Sequence, residues 1–171
     1  MKADIDQTVL YSHPVEQVWA ALTSSSALTA WLMPNDFKPV VGHHFSLRTR
    51  PAPGFDGIVH CQVVELEPPS RMVWTWAGGN IDTTVTFTLE AVDGGRTRLR
   101  LHQGGFHGLG AQLTRHILAG GYPRILKQLL PAYLDQATSP AVPVRPADTD
   151  CASRWRAYPG LIRRWRHVPN R

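Results

Sequence analysis

Apolar and polar positions alternate with period two through the middle of this chain and recur at helical spacing towards its two ends. Ile5 to Tyr11 reads as a first strand. Phe45-Ser46-Leu47-Arg48-Thr49-Arg50 alternates as a half-buried strand does, and Pro51-Ala52-Pro53-Gly54 turns the chain. Ile58 to Leu66 is the next strand, ended by Pro68-Pro69, and Met72 to Ala77 follows, ended by Gly78-Gly79-Asn80. Thr83 to Glu90 places Val85, Phe87 and Leu89 on one face and Thr84, Thr86 and Thr88 on the other. Asp93-Gly94-Gly95 is a hairpin signal, and Arg96 to Gln103 returns with Leu99 and Leu101 inward and Arg98 and Arg100 in water. This is a run of antiparallel strands with one buried and one solvated face.

The helical segments are less regular. Ser12 suits an N-cap and Pro14 a first turn, ahead of an apolar face formed by Val15, Val18, Trp19 and Leu22. Thr23-Ser24-Ser25-Ser26 stops that helix and caps another, which carries Leu28 and Trp31 and ends at Trp31-Leu32-Met33-Pro34. Leu109 to Gln136 is helical, with an apolar stripe of Leu113, Ile117, Ile125, Leu126, Leu129, Leu130 and Tyr133. Gly120-Gly121 is expected to interrupt it, with Pro123 opening the main helix, and Pro131 to kink or end that helix.

These stretches, taken in order over roughly residues 5 to 136, resemble the START-like (SRPBCC) superfamily. The resemblance is carried by Ser12 to Pro34, Val41-Gly42-His43-His44-Phe45, Gly54-Phe55-Asp56-Gly57, Glu65-Leu66-Glu67-Pro68-Pro69, Arg71 to Trp76, Thr84 to Leu89, Thr97 to Leu101 and Gly104-Gly105-Phe106. Within the superfamily it is most similar to the branch named after the C-terminal domain of the Hsp90-ATPase activator. The resemblance implies an α+β helix-grip fold of the START/Bet v 1-like kind. In that fold a curved antiparallel sheet wraps around a long C-terminal helix, and two short helices plug one end. It also implies a chaperone-interaction role, with the stress-response setting such a role carries. One fold hosts many sites, so function must be argued from residues.

Charge divides the chain in two. Residues 1–139 hold 11 Lys+Arg against 11 Asp+Glu, whereas residues 140–171 hold seven Arg against Asp148 and Asp150, so the net +5 belongs to the tail. A neutral body gives no electrostatic reason to bind nucleic acid. The expected division is a START-like domain over residues 1–138 and a Pro-rich linker with a basic Arg/Trp-rich extension over 139–171, read as disordered. In that extension Trp155, Tyr158, Leu161, Ile162 and Trp165 lie among arginines, a pattern that would contact anionic membrane or nucleic acid only weakly. Met1-Lys2-Ala3-Asp4 begins no signal-like apolar run and no stretch is long enough to span a bilayer, so a cytoplasmic setting is expected. Cys61 and Cys151 read as two reduced thiols, with a disulfide between them as the alternative.

The candidate chemistry is apolar. Trp31, Phe45, Trp74, Trp76, Phe87, Phe106 and Tyr122, with Leu126, are the expected walls of a cavity between sheet and helix; an ordinary aromatic core competes with that reading. Gln103 shares parity with Leu99 and Leu101 and is expected to orient a ligand there, helped by His60. His60 and Gln62 face in only if the strand runs without a bulge; otherwise Val59, Cys61 and Val63 do. The spacing of the histidines, including His43, His44, His102, His107 and His116, offers no metal-ligand pattern. No nucleophile motif or dinucleotide fingerprint is present, and no cofactor is expected. The leading expectation is a cavity of several hundred Å³ for a small hydrophobic or aromatic molecule, and complete filling of that space would remove its main support. A chaperone-interaction module, a homodimer, and a cavity enzyme of the polyketide cyclase or hydrolase type are the alternatives.

Overall fold

The computed structural model describes residues 4–138, so the expectations for the basic extension and for Cys151 lie outside the described residues. Six strands, β1 (Ile5–Tyr11), β2 (His44–Arg48), β3 (Ile58–Glu67), β4 (Arg71–Gly78), β5 (Ile81–Val92) and β6 (Arg96–Gly104), form one antiparallel sheet in the order β1-β6-β5-β4-β3-β2. Two short helices, α1 (Val15–Leu22) and α2 (Ser25–Trp31), link β1 to β2. The described residues then end with α3 (Leu109–Arg124), a wide π turn (Ile125–Leu129) and α4 (Leu130–Thr138), which run on as one helix. This is the helix-grip arrangement.

The alternation read from the sequence sets the faces. Trp74 pairs with Val85 and Val85 with Gln103, while Met72 pairs with Phe87 and Phe87 with Leu101, so these side chains share the inner face and are all buried. Arg98 and Arg100 lie opposite Glu90 and Thr88 on the solvated face, where Arg98 pairs with Glu90 at 2.6 Å and Arg100 with Asp6 at 2.8 Å.

In β3 the bulged alternative holds. The register with β4 shifts between Val63 and Glu65, and Val59, Cys61 and Val63 are buried while His60 faces water. The shift leaves Val64 on the exposed side and brings Leu66 back against the core. A bulge adds one unpaired residue, and every side chain beyond it changes face.

The free edge of β2 is covered by the preceding loop: Ser46 N–H donates to Asp36 Oδ1 at 2.6 Å and Arg48 N–H to the Pro34 carbonyl at 2.9 Å. The β2–β3 connection depends on Gly57, whose φ is +86°, and where an added Cβ would lie 2.6 Å from the Thr49 carbonyl and 2.8 Å from Pro51 N. Gly57→Ala therefore combines a left-handed backbone with a backbone clash. It is expected to cost at least ~1 kcal/mol, read as a lower urea midpoint with unchanged slope.

Helix boundaries depart from the sequence reading in two places. Helix α1 is entered through Pro14, not capped by Ser12: Pro14 is extended (φ −60°, ψ 152°) and its carbonyl accepts from Gln17 and Val18 N–H. The next boundary is as expected, with Ser24 Oγ accepting from Ala27 N–H. Further on, Gly120-Gly121 does not interrupt the helix, and Pro123 sits inside α3 instead of opening a new one. A helical glycine costs only about 1 kcal/mol relative to alanine, which local packing readily offsets.

The irregularity falls instead ahead of Pro131. Leu130 N–H bonds the Ile125 carbonyl five residues back, so it is not available to Leu126 O. The wide-turn partner of Leu126 O would be residue 131, a proline without an N–H. Tyr11 fills the gap: its buried hydroxyl donates to Leu126 O at 2.6 Å, tying β1 to the helix.

Candidate functional site

The inner face of the sheet, the end of α2 and the middle of the long helix meet around an aromatic cluster. Trp74 is its centre, with ring centroids 4.9 Å from Phe87, 5.3 Å from Phe45 and 5.9 Å from Phe37, all edge-to-face. Trp31 is fixed by its indole N–H, which donates to the Ala21 carbonyl at 2.9 Å and so locks α2 on α1. Beside this cluster lies a void of about 10 Å³ bordered by Trp31, Leu32, Trp74, Trp76, Phe87, Leu101, Tyr122, Ile125 and Leu126. That volume admits about one water molecule. Among the described residues this void falls far short of the several hundred Å³ expected, because the aromatic side chains occupy the seam themselves.

The sequence-predicted residues separate accordingly. Trp31, Trp74, Trp76, Phe87, Tyr122 and Leu126 border the void. Phe45 is buried one layer away against Phe37 and Trp74, and Phe106 is buried in the loop ahead of α3. His60 is outside altogether, on the solvated face opposite Ser46, because of the β3 register. Leu32, Ile125 and Phe37 were not singled out as walls. Leu32 and Ile125 belong to apolar runs visible in the sequence, whereas Phe37 stands alone between Asp36 and Lys38 with no periodic signal.

Gln103 faces inward as its parity requires and is fully buried, yet its polar atoms are engaged. Tyr122 donates its hydroxyl to Gln103 Oε1 at 2.6 Å, Gln103 Nε2 donates to Thr83 Oγ1 at 2.8 Å, and Thr83 donates to the Trp76 carbonyl at 3.0 Å. This chain of bonds anchors Tyr122 to three strands. Burial holds the Tyr122 phenol well above its usual range, so it stays a neutral donor at any ordinary pH. Burial, with a smaller contribution from Asp36, pushes Cys61 up to about 12, which keeps it a thiol and a poor nucleophile near neutrality.

A carboxylate–imidazole pair exists, with His13 Nε2 3.1 Å from Asp135 Oδ1, but neither residue borders the void; it joins the β1–α1 turn to α4. Among the described residues no group of three His, Cys, Asp or Glu is placed to hold a metal ion. The site therefore offers apolar surface, one internally satisfied polar chain and the indole N–H of Trp74, which is buried without a partner among the described residues.

Residues 12–135 match the family model described as activator of Hsp90 ATPase homolog 1-like protein. The chain belongs to this family. Among solved structures, protein MLL2253 from Mesorhizobium loti is 31% identical with a TM-score of 0.71, over 80% of this chain and 100% of that one. The Aha1 dimer from Colwellia psychrerythraea is 21% identical (TM-score 0.64, 77% of this chain and 96% of that one). PFC0360w, an Hsp90 activator from Plasmodium falciparum, is also 21% identical (TM-score 0.58, 74% and 90%). The last two likenesses establish shared fold. No curated protein matches the chain. Within the family fold, no helix among the described residues is long and apolar enough to cross a membrane.

Proposed function

We propose that the protein binds a small hydrophobic or aromatic molecule at the seam between the sheet and the long helix, in an opened form of the closed void. Sites for such ligands span roughly 300–1,000 Å³, so the proposed binding requires the seam to open well beyond the void. The observation that carries the reading is the character of the seam. Its border is apolar and largely aromatic, and it lies where the sheet, the end of α2 and the long helix meet. Each 100 Å² of apolar ligand surface buried there contributes ~2.5 kcal/mol, enough to offset modest opening. The setting we propose is cytoplasmic.

The test is a fluorescence titration with N-phenyl-1-naphthylamine, an uncharged aromatic probe that brightens on burial. Saturable one-to-one binding, competed by other lipophilic molecules, is expected. Absence of saturation, with no thermal shift across a lipophilic library, would sink the reading.

A contact with an Hsp90-type chaperone is the second reading, favoured by family membership and by apolar side chains left on the surface. Leu109 is 93% exposed and Leu113 57% exposed, one helical turn apart on α3. Co-sedimentation with purified Hsp90 that is lost in Leu109→Glu/Leu113→Glu, without loss of probe binding, would move the function to this surface. A homodimer is distinguished from both by sedimentation equilibrium.

A further inference from the structure

Trp74 stands in the middle of β4 on the inner face of the sheet, fully buried. Its indole N–H has no hydrogen-bond partner among the described residues. Two other polar groups on the border of the void are committed: the Trp31 N–H donates to the Ala21 carbonyl at 2.9 Å and the Tyr122 hydroxyl to Gln103 at 2.6 Å. A buried donor left unpaired loses its bond to water and regains nothing on folding. Such groups are rare in folded proteins, and each calls for a reason. Packing accounts for the aromatic ring at this position and not for the N–H.

The surroundings narrow what that N–H can serve. Trp74 borders the void, so it is among the side chains that a molecule entering the seam would touch. Among the described residues no Lys, Arg, His, Asp or Glu borders the void, and burial keeps the Tyr122 phenol neutral. An ionised ligand would be buried there without a counter-charge, a cost that apolar contact does not offset. A neutral oxygen or aromatic nitrogen can accept from the indole, which only donates. A single water is a poor substitute, because a buried water is held by about two to four polar partners.

We propose that Trp74 sets the ligand class: an uncharged, lipophilic, largely aromatic molecule with one hydrogen-bond acceptor, such as a ketone oxygen, that takes the Trp74 N–H. The proposal rests on the ligand-binding reading and narrows it. A hydrocarbon of the same shape gains burial but leaves the N–H unpaired. A molecule with several polar groups strands the rest against apolar walls.

The test compares fluorenone with fluorene, which share a ring frame and differ in a carbonyl against a methylene. Both are titrated into the native full chain and into Trp74→Phe by displacement of N-phenyl-1-naphthylamine. The two compounds differ in hydrophobicity, so the quantity read is the ratio of their dissociation constants. That ratio is expected to favour fluorenone by at least about tenfold more in the native protein than in the variant. A second readout needs only the native protein. The Trp74 indole N–H proton resonance, assigned through its own ring protons, is expected to move further downfield with fluorenone than with fluorene.

Equal ratios in the two proteins, or an indole proton that both compounds shift alike, would overturn the role of Trp74 while leaving binding at the seam intact. Failure of the probe and of both compounds to bind the native protein would end the ligand-binding reading, and the acceptor preference with it.

Discussion

Trp74→Ala is expected to destabilise the protein by ~3–5 kcal/mol, the largest effect of any single truncation considered, because it empties the centre of the aromatic cluster. Trp74 is fully buried, and Phe37, Phe45 and Phe87 meet its faces and edges at centroid distances of 4.9–5.9 Å. Those rings are themselves held by strand register and by the loop covering β2, so they cannot collapse into the space. The resulting apolar cavity should take up indole, seen as a rise in Tm on adding indole to the variant but not to the native protein.

Trp74→Phe separates bulk from polarity. The indole N–H is buried without a hydrogen-bond partner among the described residues, a group whose desolvation is unrecovered. Phenylalanine removes that donor and keeps much of the volume, so its cost should be clearly smaller than that of alanine in urea unfolding. Equal costs would show that the ring volume retained by phenylalanine does not matter at this position, contrary to the packing described.

Tyr11→Phe is expected to cost about 1–3 kcal/mol, the penalty for leaving a buried carbonyl without a donor. Leu130 N–H is committed to Ile125 O, Pro131 has no N–H, and the Tyr11 hydroxyl donates to Leu126 O at 2.6 Å. In a Pro131→Ala background residue 131 regains an N–H that can return to the helix, so the penalty for Tyr11→Phe should shrink. A double-mutant cycle measures that coupling directly. Additive costs would show that the wide turn and the tyrosine are unrelated.

The sheet was largely legible because period-two alternation is a local signal: Val85, Phe87 and Leu89 against Thr84, Thr86 and Thr88 leave no choice of face. His60 was not decidable, since its orientation depends on a bulge four residues on, which β4 imposes across the ladder. The wide turn was half legible. Pro131 announced an irregularity, but its place and form depend on a tyrosine 115 residues away in sequence. Gly120-Gly121 looked like a break and proved a continuous helix, because Tyr122 just beyond is pinned to Gln103.

The candidate site followed the same division. Parity named Trp74, Trp76, Phe87 and Gln103 as inward-facing, and all four are buried there. Whether inward aromatics enclose space or fill it depends on their summed volumes and rotamers in three dimensions, which no pattern along the chain encodes. Gln103 shows the same limit: its parity was visible, but its engagement with Tyr122 and Thr83 was not.

Ligand binding at the seam is tested most directly by native mass spectrometry of the freshly purified full chain, before any extraction step. The account predicts a discrete noncovalent adduct of a few hundred daltons, displaced by excess N-phenyl-1-naphthylamine and present in sub-stoichiometric to equimolar amount. Repeated preparations giving only the bare mass, together with no probe binding in solution, would contradict it.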